Sequence, residues 1–237
     1  MPDERGKADS LPAPTVAGIM KKMQYTSVNR RIACEPVARG MGQAACVVKR
    51  VSDVLLSALG MILLSPLFLA VYVALKLQGD GPVIYKQERV GKDGKPFDIL
   101  KFRTMTVDAE ADGPRLEEAD DPRLTKVGAW LRLHHLDELP QLWNVFVGDM
   151  SLVGYRPERE YFIRQIMEHD ARYACLYQMR PGITSDATLY NGYTNSMEKM
   201  LERLNMDLHY LETGTPWTDV KIMLRTVWLI ISGGKTL

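Results

Sequence analysis

The sequence is poor in cysteine and histidine and carries almost no net charge. Its 237 residues include three cysteines and four histidines, and the formal net charge is +1. The cysteines show no metal-ligand spacing and the histidines form no HExxH pattern, which argues against a zinc enzyme. The chain also has no internal repeats, no Walker A string and no dinucleotide-type GxGxxG. With so small a net charge, nucleic-acid binding has no support in the sequence.

The charges that are present are unevenly placed. Residues 1–50 contain nine Lys or Arg and only four Asp or Glu, so the remainder of the chain is net acidic. A basic arm beside a membrane segment favours anionic lipid head groups, but an arm that is simply solvated has the same composition. We expect residues 1–48 to form a variable, partly disordered N-terminal arm, whose role stays open.

Residues 54–75 form the longest apolar run, 22 residues without a charged side chain. The run is long enough to cross a bilayer as a helix. It begins some fifty residues into the sequence and has no small-residue cleavage pattern, so it does not read as a cleavable signal peptide. A membrane segment is therefore expected here.

Two membrane geometries are compatible with this run. Ser65 and Pro66 lie at its midpoint, and a proline removes a backbone donor and kinks or breaks a helix. Membrane-spanning helices tolerate such prolines, so a straight span stays open. Basic residues flank both ends: Lys49, Arg50, Lys76, Lys86 and Arg89. Because basic residues prefer the cytoplasmic side, the flanks favour a re-entrant hairpin broken at Ser65 and Pro66.

The remaining sequence predicts a mostly helical α+β fold. Residues 83–102 read as two short strands joined at Asp93-Gly94, a β-hairpin signal. Residues 108–122 are acidic and rich in turn formers, and we expect a surface loop. Apolar periodicity predicts helices over residues 126–136, 140–147, 158–177 and 196–211. Residues 217–231 are apolar on most sides with a basic edge, which suits either an amphipathic helix on a membrane surface or core packing.

Asp137 and Glu138 form an adjacent acidic pair within an apolar stretch. Helical neighbours point about 100° apart, so one carboxylate can attack a phosphorus atom while the other holds a metal ion. Pro140 suits the first turn of a helix, and carboxylates are also favoured at helix N-termini for electrostatic reasons alone. The pair by itself leaves both interpretations open.

A set of strings in fixed order gives the pair its context. They are KRVSD (49–53), KFRTM (101–105), DPRLT (121–125), LDELPQLWN (136–144), GDMSLVG (148–154), RP (156–157) and RPGIT (180–184). Together with the Ser-Pro break, this order closely resembles the bacterial sugar transferase family, the monotopic polyprenyl-phosphate phosphoglycosyl transferases. The resemblance runs from about Lys49 to the C-terminus and leaves the first 48 residues unmatched.

The resemblance implies an enzyme that begins membrane-bound glycan assembly. Such enzymes move a sugar-1-phosphate from a UDP-sugar to a polyprenyl phosphate, usually undecaprenyl phosphate, and release UMP. It implies a re-entrant membrane helix over residues 49–78 and a catalytic domain over 79–237, lying on the cytoplasmic face of the bacterial inner membrane with membrane lipids as partners. The sugar and the exact polyprenol stay open, and a homo-oligomer is possible.

The resemblance also assigns roles to individual residues. Asp137 becomes the nucleophile that carries the phosphosugar, and Glu138 the ligand of Mg²⁺, the expected cofactor. Both roles agree with carboxylate chemistry, since carboxylates attack phosphorus and bind magnesium together with substrate phosphates. The basic candidates for phosphate binding are Lys101, Arg103, Arg132 and Arg156. Asp219 resembles a family position near the active site.

The sequence departs from the family pattern at two places, one affecting the local backbone and the other substrate choice. Tyr155 stands where the family commonly has proline, and residues 185–193 replace a string that usually ends in arginine. Asp186, Asn191 or Tyr193 are candidates to shape the sugar pocket instead. Two further hypotheses remain: a catalytically silent membrane-anchored adaptor on the same fold, and a hydrolase that passes the phosphosugar to water.

Overall fold

The computed structural model describes residues 40–79, 81–109, 121–191 and 196–232. Its α-helices are α1 (Gln43–Leu63), α2 (Ser65–Leu77), α3 (Lys126–Leu133), α4 (Gln141–Val147), α5 (Glu160–His169), α6 (Asp186–Tyr190), α7 (Met197–Thr213) and α8 (Pro216–Ile231). Its strands are β1 (Ile84–Val90), β2 (Pro96–Phe102), β3 (Ser151–Val153) and β4 (Gly182–Thr184). Short 3-10 segments cover Lys92–Gly94, Leu136–Glu138 and Ala171–Gln178. The prediction of a mostly helical α+β fold is confirmed.

The apolar run folds as two helices with a break at Leu64. Helix α1 begins at Gln43, earlier than the predicted start at residue 49, and α2 carries Pro66 in its first turn, where a missing backbone donor costs nothing. The Ser65 hydroxyl donates to the Ile62 carbonyl across the break, at 2.8 Å. Within the described residues no single helix is long and apolar enough to span a membrane, whereas this pair qualifies together and bends by 60°.

Strands β1 and β2 form the predicted antiparallel hairpin. Ile84 pairs with Phe102 and Val90 with Pro96, so the register closes on the Lys92–Gly94 turn. Asp93 and Gly94 both have positive φ, 59° and 69°. Two consecutive residues of this kind match the right-handed twist of the strands they connect, which explains the Asp-Gly signal.

A second, parallel sheet pairs β3 with β4. The Gly154 amide donates to the Thr184 carbonyl and the Gly182 amide to the Tyr155 carbonyl. A side chain on Gly182 would bring its Cβ within 2.1 Å of the Gly154 nitrogen. The two glycines therefore permit a close backbone approach that no other residue allows, and they fix the segment that leads into Arg156.

The predicted helices are present with altered ends. Helix α3 ends at Leu133, three residues early, and the predicted helix 158–177 is interrupted at Asp170. Asp170 has an extended backbone, and its carboxylate caps the following 3-10 segment by accepting from the Arg172 amide. The predicted arm before residue 40 and residues 110–120 of the predicted loop lie outside the described residues.

One apolar cluster joins the bent helix pair to the acidic turn. Its buried members are Val71, Leu75, Val83, Phe102 and Leu131, with Leu136 and Leu139 packed against them. Leu136 and Leu139 flank the acidic pair in sequence. Burial of this apolar surface therefore ties Asp137 and Glu138 directly to the second arm of the helix pair.

The sequence of helix α8 left two placements open, in the core or on a membrane surface, and the helix has one buried and one exposed apolar face. Ile222 is 1% exposed and packs into the core, while Asp219 is buried at the start of the helix. The opposite face leaves large apolar side chains exposed: Trp217, Leu224, Val227, Trp228 and Ile230. Core packing accounts for one face, and contact of the other face with a membrane stays a prediction.

Candidate active site

The acidic pair lies on a one-turn 3-10 segment between α3 and α4. His135, the residue before it, has φ 54° and ψ 22°, one of two non-glycine residues with positive φ in the described chain. This left-handed residue ends α3 and turns the chain so that Asp137 is 6% exposed. Left-handed backbone costs free energy in a non-glycine residue and persists only where the surrounding packing enforces it.

Two cationic side chains converge on Glu138. Lys101 Nζ lies 2.9 Å and Arg156 Nη1 3.2 Å from the same oxygen, Oε1. Burial disfavours the charged carboxylate, but Lys101 and Arg156 outweigh burial and hold the pKa of Glu138 well below its ordinary value. Glu138 is therefore ionised at neutral pH and fixes two cations beside Asp137.

Asn144 positions the strand that carries Lys101. Its side-chain amide donates to the Asp98 carbonyl at 2.8 Å, and its side-chain oxygen accepts from the Leu100 amide at 3.0 Å. The residue is 2% exposed. Because α4 follows the acidic turn immediately, this clamp holds β2 against the turn and directs Lys101 toward Glu138.

Arg132 and Thr104 form a neighbouring contact. Arg132 Nε donates to the Thr104 hydroxyl at 3.1 Å. Thr104 is buried and follows β2, while Arg132 is in the last turn of α3, just before the acidic turn. Arg132 is thus placed between the KFRTM string and the acidic pair, although its role toward substrate stays a prediction.

Arg103 and Asp219 make their contacts elsewhere. The buried Arg103 guanidinium donates to the Leu75 and Gly79 carbonyls at 3.4 and 3.3 Å, so it holds the end of α2. Asp219 accepts from Lys49 at 2.6 Å and from the Tyr210 hydroxyl, and so joins α8 to α1 and α7. Their described contacts are structural, and their predicted substrate roles stay predictions.

A family model described as bacterial sugar transferase matches residues 44–233. The match covers the helix pair except for its first residue, together with the acidic turn and α8. The chain belongs to the bacterial sugar transferase family. The family prediction made from the ordered strings is thereby confirmed.

Curated relatives of this sugar transferase carry related names. It is 45% identical over 187 residues to a UDP-glucose:undecaprenyl-phosphate glucose-1-phosphate transferase of Caulobacter vibrioides, covering 76% of this chain and 68% of the relative. A Klebsiella pneumoniae protein of the same name is 41% identical, covering 77% and 40%. An Aeromonas hydrophila UDP-N-acetylgalactosamine-undecaprenyl-phosphate N-acetylgalactosaminephosphotransferase is 38% identical, covering 78% and 44%. The aligned region thus spans less than half of the latter two.

The residues of this sugar transferase fit a magnesium ion only if the bound substrate supplies some of the ligands. Its described residues contain no group of three or more His, Cys, Asp or Glu side chains that could hold a metal. Mg²⁺, however, is usually held through one or two carboxylates together with substrate phosphates. Glu138 offers one such carboxylate, and both of its cation contacts described above fall on Oε1. The fit is therefore to a site that the substrate completes.

The departures from the family pattern have structural consequences. Tyr155 is fully buried in the largest apolar cluster, so the core accommodates the aromatic ring in place of proline. Asp186 lies 3.9 Å from Arg225, and the Asn191 amide donates to the Lys199 carbonyl. Tyr193 lies outside the described residues. Whether Asp186, Asn191 or Tyr193 contacts the sugar stays a prediction.

Sequence reasoning missed three residues of this sugar transferase site. His135 sets the turn, Asn144 clamps β2, and Thr104 receives Arg132. Thr104 and Asn144 stand inside the strings quoted above, and a polar side chain within an apolar helix was the available signal for Asn144. No local signal marks the left-handed backbone of His135, because its conformation is set by packing.

Proposed function

We propose that this sugar transferase moves a sugar-1-phosphate from a UDP-sugar to undecaprenyl phosphate. The observation that carries the proposal is the buried Asp137 beside Glu138, which holds Lys101 and Arg156 at one oxygen. The names of the relatives, which specify undecaprenyl phosphate and UDP-sugars, support the same reaction. The products would be undecaprenyl-diphosphate-sugar and UMP.

Asp137 acts as the nucleophile in the first half-reaction. A carboxylate oxygen attacks the phosphorus that bears the sugar, the bond to the bridging diphosphate oxygen breaks, and UMP leaves with that oxygen. The sugar phosphate is now an acyl phosphate on Asp137. Covalent catalysis of this kind divides one difficult displacement into two easier ones.

The second half-reaction returns Asp137 to its starting state. An oxygen of undecaprenyl phosphate attacks the same phosphorus, the bond between phosphorus and the Asp137 oxygen breaks, and the carboxylate is released. The anchoring of the acidic turn to the second helix of the bent pair, through Leu136 and Leu139, supports access of a lipid acceptor to this atom.

Lys101, Arg156 and Glu138 supply the electrostatics. Lys101 and Arg156 bring two positive charges to Glu138 beside Asp137, where the diphosphate of the donor would approach. Fixed cations stabilise charge that develops on transferring phosphoryl oxygens. Mg²⁺, held by Glu138 and the substrate phosphates, would screen oxygens that otherwise repel Asp137.

The bent helix pair acts as a re-entrant hairpin with both ends on the cytoplasmic face of the inner membrane. The 60° bend and the break at Ser65 and Pro66 support this geometry over a straight span. The test is labelling by a membrane-impermeant thiol reagent of Val48→Cys and Lys86→Cys, both exposed, in sealed vesicles of known orientation. The proposal requires labelling from one side, and labelling from opposite faces would establish a spanning helix.

One assay tests the reaction. The purified full chain in detergent receives Mg²⁺ and a panel of UDP-sugars, with and without undecaprenyl phosphate. We expect lipid-linked sugar and UMP beyond one equivalent only when the lipid is present. Continuous UMP release without lipid would indicate a hydrolase, and no product with any donor would favour an adaptor.

Asp137→Asn tests the nucleophile. We expect turnover to fall at least about 10³-fold, and covalent labelling by a radiolabelled donor to disappear. Asp108→Asn, at an exposed carboxylate away from the turn, is the matched control and should retain both signals. Full activity of Asp137→Asn would show that Asp137 is not the nucleophile.

A further inference from the structure

A cavity of about 130 Å³ lies apart from the acidic turn. It opens beside the first turns of α1, between that helix, β3 and the residues that lead into β4. Neither Asp137, Glu138, Lys101 nor Arg156 lines it. No step of the proposed transfer uses it.

The lining of this cavity carries more positive than negative charge: its described residues include Lys49, Arg50, Lys92 and Arg180 but a single carboxylate, Asp53. Arg50 donates to the Val145 and Phe146 carbonyls at 2.7 and 3.0 Å, and Arg180 donates to the Gly148 carbonyl at 2.8 Å. These acceptors are neutral, so both guanidinium charges persist. Burial and the nearby Arg180 lower the pKa of Arg50, while the Asp53 carboxylate opposes this shift, so Arg50 is partly desolvated and lies close enough to Arg180 for the two cations to repel each other.

The one carboxylate of the described lining, Asp53, keeps its negative charge because the groups that donate to it are neutral, so it offsets one of the cations. Asp53 accepts from the Ser151 hydroxyl at 2.8 Å and from the Leu152 amide at 3.0 Å, which turns both of its oxygens toward β3. Asp219 pairs with Lys49 at 2.6 Å. A third cation, the half-buried Lys92, reaches the cavity from the β-hairpin turn.

The opposite wall is apolar. It is formed by Met41, Val153, Met179 and Leu211. A ligand that fills this cavity therefore needs an anionic group at one end and an apolar segment next to it. In the re-entrant geometry proposed above, on which this inference rests, the base of the bent helix pair lies at the level of the lipid head groups.

We propose that this cavity binds the phosphate group of an amphiphilic lipid. Arg50, Arg180 and Lys92 hold the phosphate, and the apolar wall receives the first carbons of the chain. Guanidinium groups match phosphate oxygens in geometry as well as charge. Two sources offer this chemistry: a phospholipid of the surrounding bilayer and a prenyl phosphate.

The experiment measures binding directly, so it does not depend on turnover. Full-length protein in neutral detergent is titrated with farnesyl phosphate, farnesol, dihexanoyl phosphatidylglycerol and dihexanoylglycerol, and Kd is obtained by calorimetry. Lys92→Gln removes one cation of the cavity. Lys95→Gln is the matched control, because Lys95 is exposed, follows the same turn and does not line the cavity.

We expect at least one phosphate-bearing probe to bind more tightly than its phosphate-free partner. Its Kd should rise about tenfold in Lys92→Gln and in Arg180→Gln, and stay unchanged in Lys95→Gln. A response to farnesyl phosphate alone assigns a prenyl phosphate, a response to phosphatidylglycerol alone assigns a bilayer lipid, and a response to both assigns the phosphate as the recognised group.

Two results would overturn the proposal. One is equal affinity of Lys92→Gln and Lys95→Gln for every phosphate-bearing probe. The other is equal affinity of the wild-type chain for each probe with and without phosphate, which would leave only an apolar cavity. Neither result touches the transfer reaction, whose test is the production of lipid-linked sugar.

Discussion

Two glutamates of this transferase each lie between two cations, yet their surroundings differ. Glu138 accepts from Lys101 and Arg156, and Glu158 accepts from Arg89 and Arg203. A carboxylate with two cationic partners is therefore not by itself a catalytic site. Whether such a carboxylate takes part in catalysis depends on the groups around it.

The surroundings of the two glutamates differ in access and in companions. Around Glu138, Asp137 is adjacent and the Arg156 side chain keeps 30% of its surface exposed, whereas Lys101 keeps 13%. Around Glu158, both arginines are only 10–13% exposed and the apolar cluster of Tyr155 and Tyr173 lies alongside. At Glu138, Arg156 can therefore exchange the carboxylate for a substrate phosphate. At Glu158, both arginines are shielded from a substrate.

The largest difference between the two glutamates should appear in activity. Glu138→Gln removes the charge that positions Lys101 and Arg156, so we expect kcat/KM to fall about 10²- to 10³-fold. The melting temperature should fall less than in Glu158→Gln, because Arg156, one of the two freed cations, keeps 30% of its side chain exposed. Kinetics and thermal unfolding on the same preparation check both statements. A Glu138→Gln variant with wild-type kcat/KM would show that Glu138 is no more important for catalysis than Glu158.

Glu158→Gln should show the reverse behaviour. Removing this charge leaves Arg89 and Arg203 without their buried partner, and we expect the free energy of unfolding to fall by about 3 kcal/mol. Below the melting temperature the kcat/KM should stay far closer to wild type than that of Glu138→Gln. Denaturant unfolding supplies the measurement. Lost activity with unchanged stability would instead place Glu158 in the site.

Asp207 tests the closed character of the Glu158 group through pH. Burial raises the pKa of Asp207 to about 7, Glu158 and Asp186 add to the shift, and Arg203 opposes it. The folded pKa exceeds the unfolded value, so the folded state retains a proton that the unfolded state releases, and stability declines as pH rises from about 4 to 7.

Asp207→Asn should remove this decline. We expect the variant to gain about 3 kcal/mol over wild type between pH 4.5 and pH 8, measured as the difference of their unfolding free energies at each pH. Asp108→Asn, at an exposed carboxylate, should show no such gain. Parallel pH curves for wild type and Asp207→Asn would mean that the Glu158 group is open to water.

The smallest effect concerns the backbone at the open site. His135→Gly relieves a left-handed residue, and we expect a stability gain of about 0.5 kcal/mol together with a several-fold lower kcat, because the acidic turn becomes less fixed. Asp93→Gly is the matched variant, since Asp93 is the other non-glycine residue with positive φ in the described chain. Asp93→Gly should gain stability without losing activity. If both variants lost activity equally, the effect of His135→Gly would not be specific to the acidic turn.

Much of the fold and part of the site could be predicted from the sequence. The helix break at Ser65 and Pro66, the Asp-Gly hairpin and the helices after residue 126 follow from proline chemistry, turn preference and apolar periodicity. Family strings led to Lys101, Arg156 and the acidic pair. The same reasoning placed Arg103 with the phosphates, whereas its described contacts are with the Leu75 and Gly79 carbonyls.

The sequence by itself determined which chemical groups are available: an acidic pair, a set of cations and a broken apolar segment. Each of these can be recognised from residues that are neighbours in the sequence. Only the tertiary structure decided which cations meet the pair. Lys101 and Arg156 reach Glu138 from 37 and 18 residues away, while Arg103, two residues from Lys101, turns to the end of α2. Alternate residues of a strand share a face, but the β2 strand ends at Phe102, so local periodicity no longer fixes where Arg103 points. Packing across the chain fixes it instead.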